Sequence, residues 1–198
     1  MTKGCRVEVT GGFLLMLAWL NYTDVQGLLP AALCAATAHE LGHWLAISLL
    51  GGRVTRLRLS AVGAEMRLER TMSYFRELLC ALAGPAVNIL LAIGTAWLCG
   101  GRGLVFAGMN LALGLFNLLP VRALDGGRSL FCVSALCMGI EYAQRLGEAV
   151  DRVILFLLLL AAVIVLKMGG SVTLLAAALW MFFSGVRPCR KKGLSKGV

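Results

Sequence analysis

Long apolar stretches separated by short polar or charged segments run through most of the chain. A helix needs about 20 residues to cross the hydrocarbon layer of a bilayer. The runs that approach this length are Leu28–Leu50, Leu78–Cys99, Leu104–Leu119, Val153–Met168 and Val172–Val186. A shorter run, Phe13–Leu20, reaches it only when Asn21–Val25 is included. The pattern predicts about six transmembrane helices, numbered here as the first to the sixth span in chain order.

The first run has an alternative interpretation as a signal peptide, because Lys3 and Arg6 precede it. The polar residues after it contain no cleavage site of small residues. We therefore expect this segment to be retained as a span.

The segment between the second and third spans has a different period. In Arg53–Arg70, leucine and methionine alternate with charged residues on both sides of a Ser-Ala-Val-Gly break. Period two with such a break predicts a β-hairpin. The fold class that follows is an all-α polytopic membrane protein with about six transmembrane helices and a small cytoplasmic β-hairpin between the second and third.

Proline and glycine indicate where the helices break. Gly84 and Pro85 are predicted to interrupt the third span early. Pro120 is predicted to end the fourth span and to leave Asp125 on an irregular, glycine-rich segment. Ser129–Gly147 is predicted to be a cytoplasmic piece that forms an interfacial helix.

Composition and charge agree with the membrane interpretation. The chain is 59% hydrophobic and 15% charged, with a mean hydropathy of +0.84, whereas a soluble domain has about one quarter charged residues. With a cytoplasmic N-terminus, every basic residue except Arg102 and Lys167 falls on the inner side, as the positive-inside rule expects when both termini are cytoplasmic. The net charge of +9 then reflects loop orientation and attraction to the lipid bilayer, and no nucleic-acid partner is expected.

The domain organisation follows from these spans. We expect residues 1–198 to form a single membrane-embedded domain, with a core at 10–130, two further helices at 146–187 and a basic tail at 188–198. The seven cysteines contain no C-x-x-C pair, so no disulfide framework is expected.

The two histidines of the chain both lie in the second span. His39 and His43 are four residues apart, with Glu40 after the first. Residues at this spacing project from one face of a helix and can reach one metal ion. The order H-E-x-x-H is typical of zinc hydrolases, in which the glutamate is the general base. Such motifs also occur by chance, but ionisable residues inside a membrane are costly enough that they usually serve a function.

A zinc site with two histidines needs at least one more protein ligand. Most of the ten acidic residues lie in the hairpin or outside the spans, and Asp125 is the one next to a membrane-embedded end on the side of the histidines. We expect Asp125 to complete the site, although it could instead cap a turn in its L-D-G-G sequence. The cofactor is predicted to be one Zn²⁺ ion, and iron or cobalt would also suit this ligand set.

Three motifs occur in order along the chain: H-E-L-G-H in the second span, A-G-P-A-V-N (83–88) in the third and N-L-L-P-x-x-x-L-D-G-G (117–127) at the end of the fourth. In these motifs the chain resembles the site-2 protease family of intramembrane zinc metalloproteases, and most of all its stage IV sporulation protein FB branch. The similarity covers about residues 10–130.

The resemblance implies roles for individual residues. His39, His43 and Asp125 would hold the zinc ion, and Glu40 would be the catalytic base. Asn88 and Asn117 would line the substrate cleft, although both could instead bond between helices. The implied partners are a membrane-tethered protein substrate and inhibitory membrane proteins, in a bacterial cell membrane.

The substrate remains open at this point. A sporulation sigma-factor precursor is one candidate, and an anti-sigma factor or a signal-peptide remnant is another. A catalytically inactive scaffold and a membrane metal transporter are the alternatives of other classes. A transporter normally carries ligands along its whole path, whereas here they lie at one depth.

Overall fold

The structure, a computed structural model, describes residues 5–60 and 63–169 of the chain. The predicted sixth span, Val172–Val186, and the basic tail at 188–198 lie outside the described residues. Within the described part, the chain forms six α-helices, one short 3₁₀ turn and three strands.

The elements follow one another with short connections. The helices are α1 (Gly11–Thr23), α2 (Leu29–Leu49), α3 (Tyr74–Cys99), α4 (Leu104–Asn117), α5 (Asp125–Met138) and α6 (Ile140–Lys167). The strands are β1 (Arg6–Val9), β2 (Val54–Ser60) and β3 (Gly63–Leu68). Helix α3 packs against α2, α4 and α5, and α6 packs against α5, so α3 is the central helix of the bundle.

The predicted hairpin is confirmed as β2 and β3, which pair antiparallel with Leu57 opposite Met66. The sheet also has a third strand that we did not predict. Strand β1 pairs parallel with β2, with Val7 opposite Leu57, and gives the order β1-β2-β3. One edge of the sheet is therefore covered by β1, and β3 forms the other edge.

Two of the described helices, α3 and α6, are long and apolar enough to cross a membrane. Helix α4 is apolar but has only 14 residues, and α1 has 13. A helix that crosses the membrane without tilt needs about 20 residues, so both are short for a span. Helix α2 has 21 residues but carries both histidines and Glu40, which lower its hydropathy. The prediction of six spans is thus supported for two of them by length and composition, and stays a prediction for the others.

Two predictions about the continuity of helices differ from the structure. Helix α3 continues through Gly84 and Pro85 without interruption, because the fixed φ of proline fits a helix and membrane helices tolerate the lost hydrogen bond. The predicted single helix over Ser129–Gly147 is divided between α5 and α6. Gly139, with a φ of +90°, separates them, since that backbone conformation ends a helix and favours glycine.

Asp125 lies in the first turn of α5, so our expectation of an irregular segment at this position is wrong. Helix α4 ends at Asn117, before Pro120, and a short loop leads into α5. Gly126 and Gly127 follow in the same turn, and an added Cβ at these positions would collide with the backbone of Leu118 and of Val121, respectively. The glycines let the first turn of α5 lie directly on the loop that precedes it.

Helices α2 and α3 approach each other closely at Gly42, which is buried. A Cβ at this position would lie 2.9 Å from the carbonyl oxygen of Ala83 and 2.9 Å from Cγ2 of Val87. Small residues of this kind allow helix backbones to pack in a membrane, where van der Waals contact drives association.

We expect Gly42→Ala to lower the melting temperature of the purified protein in detergent by several degrees, because the added methyl group must push α2 away from α3. Gly94→Ala is the matched control, since a Cβ at Gly94 of α3 meets no atom within 4 Å. Equal melting temperatures for the two variants would contradict the close packing at Gly42.

Candidate metal centre

The structure brings His39, His43 and Asp125 together although the carboxylate is more than 80 residues away in sequence. The Nε2 atoms of His39 and His43 lie 3.0 and 3.1 Å from Oδ2 of Asp125. The same two nitrogens are 3.1 Å from each other. His39 is 5% exposed, and the other two side chains are partly buried. These three ligand atoms therefore point at one small volume between α2 and α5.

Hydrogen bonds on the far side of each ring fix its orientation. Nδ1 of His43 lies 2.7 Å from the carbonyl oxygen of Cys80, which can only accept, so this Nδ1 carries the hydrogen. Nδ1 of His39 lies 3.0 Å from Oδ1 of Asn88. Both contacts come from α3, and each neutral ring is left with its Nε2 lone pair facing Asp125.

The orientation of the Asn88 amide follows from its other contacts. Its Nδ2 donates to the carbonyl oxygen of Ala35 at 3.3 Å and to Oδ1 of Asn110 at 3.2 Å. Asn110 in turn donates from Nδ2 to the carbonyl oxygen of Phe106 at 2.9 Å. Because backbone carbonyls only accept, both amides are fixed, and the Asn88 oxygen must face the hydrogen on His39.

The donor set fits a small divalent metal ion. Two imidazole nitrogens and one carboxylate oxygen are ligands that zinc binds in proteins. In a tetrahedral zinc site with ligands at about 2.0–2.1 Å, neighbouring ligand atoms are roughly 3.3–3.4 Å apart. The three distances of 3.0 to 3.1 Å lie within a few tenths of an ångström of that value. Three protein ligands are also the number found in catalytic zinc sites.

Gly84 of α3 forms the wall behind the two rings. A Cβ at this position would lie 2.6 Å from Cε1 of His43 and 2.9 Å from Cε1 of His39. Any side chain here would push the histidines out of place, which gives a physical reason for the glycine in the A-G-P-A-V-N sequence.

The three ligands lie in the wall of a cavity of about 440 Å³. Glu40 and Asn117 also line it, together with residues of β3 and apolar side chains from α2 and α4. Glu40 therefore faces the same space as the ligands, as a general base requires. The amide of Asn117 also donates to the carbonyl oxygen of Leu113 at 3.0 Å, within its own helix.

Asn88 does not have the position that we predicted. Its side chain is fully buried, it does not line the cavity, and it contacts His39 from behind. The burial follows from its place at the meeting point of α2, α3 and α4. We also missed Asn110, also fully buried, although a lone asparagine in the apolar run of the fourth span was a signal for an internal hydrogen bond.

We expect Asn88→Leu to weaken zinc binding by about 10- to 100-fold, the usual effect of losing a hydrogen bond to a ligating histidine. Zinc affinity would be measured on the purified chain by competition with a chromophoric chelator. Asn117→Leu is the matched control, because it removes an asparagine that bonds only its own helix among the described contacts. An affinity for the Asn88 variant equal to that of the control would contradict the orienting role.

Comparisons with known proteins find similar sequences and a similar fold. The family model described as Peptidase family M50 matches residues 103–161. A protein of Synechocystis sp. provisionally named zinc metalloprotease sll0528 is 34% identical over 141 residues, which are 63% of this chain and 37% of that protein. Stage IV sporulation protein FB of Bacillus subtilis is 28% identical over 158 residues, 74% of this chain and 54% of that protein. The chain thus spans between about a third and a half of the length of these relatives.

The fold is also that of a solved structure. The site-2 protease from Methanocaldococcus jannaschii superimposes with a TM-score of 0.72 at 20% sequence identity, over 100% of this chain and 97% of that one. The predicted resemblance to the site-2 protease family, which includes the stage IV sporulation protein FB branch as one of several, is confirmed by the Peptidase family M50 match, by these relatives and by the fold.

Proposed function

We propose that the chain is an intramembrane zinc metalloprotease that cleaves a membrane-associated protein within or next to a transmembrane segment. The observation that carries the proposal is the convergence of His39, His43 and Asp125 in the wall of a cavity that Glu40 also lines. The similarity to zinc metalloproteases supports the same conclusion.

The chemistry is divided between the metal and the protein. A zinc ion held by the three ligands would supply a Lewis acid that lowers the pKa of water and polarises a carbonyl oxygen. Glu40 would accept the proton of the attacking water and pass it to the leaving amine. Asn88 and the carbonyl of Cys80 would hold the rings so that their Nε2 lone pairs face the ion. Asn117, which lines the same cavity, is the remaining candidate for contact with the substrate backbone.

The substrate would bind in an extended conformation, because a helical peptide bond is covered by its own turn. Strand β3 lines the cavity with Gly63, Ala64, Met66 and Leu68, and its outer edge carries no strand among the described residues. The amide of Glu69 donates to the carbonyl oxygen of Arg53 at 2.9 Å, so alternate amides, including that of Met66, point to the open edge. We infer that this edge pairs with the substrate.

The identity of the substrate is a further part of the proposal. A membrane-tethered sigma-factor precursor is the candidate that the similarity to stage IV sporulation protein FB suggests. An anti-sigma factor and a signal-peptide remnant would present the same kind of extended segment. Inhibitory membrane proteins remain candidate partners, and a six-span arrangement with both termini in the cytoplasm remains our topology. Metal transport is less favoured, because the described residues hold one group of metal-ligating side chains and no series of them.

We expect Glu40→Gln to abolish cleavage while zinc affinity stays near that of the unchanged protein, since Glu40 removes a proton and is not a ligand. Cleavage would be followed by mass spectrometry of new termini in membrane proteins from cells that express either form. A Glu40-dependent cut beside a transmembrane segment would also identify the substrate. Equal fragments from both forms would contradict the proposed base.

We expect Met66→Pro to reduce cleavage by at least about tenfold, because proline removes the edge amide that would donate to the substrate. Met66→Ala keeps that amide and is the matched control for loss of the side chain. Zinc affinity of both variants should match that of the unchanged protein, which shows that the site is intact. Equal cleavage by the proline and alanine variants would remove edge pairing from the mechanism.

A further inference from the structure

A buried carboxylate on α6 holds the loop that leads to the metal ligand Asp125. The side chain of Asp151 is 6% exposed, and its Oδ1 accepts a hydrogen bond of 2.9 Å from the backbone amide of Arg122. A carboxyl group is costly to bury without a hydrogen-bond partner, and the bond from the backbone amide offsets part of that cost. Asp151 lies outside the metal site, so the role of this carboxylate needs a separate explanation.

Apolar contacts attach the same loop to the same face of α6. Val121 is 1% exposed and packs with Leu155, one helical turn after Asp151. The partly buried Leu119, Leu124 and Ile154 surround this pair. One stripe of α6 therefore provides both a hydrogen-bond acceptor and an apolar surface for the loop.

The loop in turn lies against the first turn of α5. An added Cβ at Gly126 would collide with the carbonyl oxygens of Leu118 and Leu119, and one at Gly127 with the carbonyl oxygen of Val121. The amide of Leu124 also donates to the carbonyl oxygen of Val121 at 2.8 Å. The backbone of the loop is in direct contact with the backbone of α5. A displacement of the loop would therefore move the start of α5, where Asp125 is the first residue.

We propose that Asp151 is a positioning residue of the metal site, which acts through the loop at 118–124 to hold the carboxylate of Asp125 against His39 and His43. The inference rests on the proposed metal site and concerns Asp125, the ligand on α5. It explains why a carboxylate is buried on α6 one turn before Leu155, and it connects α6, one of the two long apolar helices, to the metal ligands.

A neighbouring contact supplies the control. The guanidinium of Arg122 forms an ion pair of 3.0 Å with Glu148, whose side chain is 57% exposed. Exposed ion pairs contribute little to stability. Glu148→Ala therefore removes a partner of the same loop residue, one turn away on the same helix, without removing the buried hydrogen bond.

The test compares zinc affinity of the full chain in detergent, by chelator competition, for Asp151→Leu, Asp151→Asn and Glu148→Ala. We expect the leucine variant to bind zinc at least about tenfold more weakly, as when other supports of a ligand are removed. The asparagine variant keeps an oxygen that can accept from the Arg122 amide and should stay within about threefold of the unchanged protein. Glu148→Ala should not differ measurably. If the leucine variant cannot be purified in folded form, Asp151→Ser, which is too short to reach the amide, replaces it.

A double-mutant cycle separates positioning from general destabilisation. In an Asp125→Ala background, replacing Asp151 should weaken zinc binding no further, since the ligand on which Asp151 acts is gone. An equal loss in both backgrounds, or no loss in either, would overturn the inference while the metal site stands. If the unchanged protein binds no zinc at all, the proposed metal site fails, and this inference fails with it.

Discussion

Three atoms with lone pairs must be held about 3 Å apart in a largely apolar bundle, and the rest of the structure depends on that requirement. Asp125 is 86 residues from His39 and 82 residues from His43 in the sequence, so the three ligand atoms meet only when α2 and α5 pack together. The packing of the surrounding helices must therefore hold the three side chains in place. Helix α3 does so, because it places Gly84 behind the rings and Asn88 on the hydrogen of His39.

The buried asparagines that support the ligands bond to one another and to backbone carbonyls. Asn88 and Asn110 are fully buried, where an unsatisfied amide would cost about 1–3 kcal/mol. Their bonds end at the backbone carbonyls of Ala35 and Phe106, so these donors are satisfied without water. Because these bonds fix the amide of Asn88 with its oxygen toward His39, they also determine that Nδ1 of His39 carries the hydrogen. The same residues thus stabilise contacts among three helices and prepare one ligand for a metal ion.

The sequence was sufficient to predict the ligand residues that the structure brings together, and less sufficient for the elements that carry them. The spacing of the histidines and the scarcity of acids near the spans led to Asp125, since chemistry limits ligands to few residue types. Strand β1 was missed because Arg6–Val9 has four residues and each pairs with a residue 50 positions later, so no local pattern indicates it. The break predicted at Pro85 is absent, because the fixed φ of proline fits a helix and a membrane helix tolerates the lost hydrogen bond. The contacts of Asn88 depend on which helices surround it, and the pattern of a single sequence does not predict that.

The two sides of the metal site are held by different kinds of interaction. The histidines are fixed by short hydrogen bonds to α3, at 2.7 and 3.0 Å, from buried or backbone acceptors. On the other side, α5 is joined to α3 near the cavity by an ion pair of 3.1 Å between Glu77 and Arg128, both partly exposed, and such pairs contribute little. The position of Asp125 must then come mainly from packing of α5 and from the backbone of the loop before it. The carboxylate therefore depends on the loop before α5, whereas the histidines depend on their hydrogen bonds to α3.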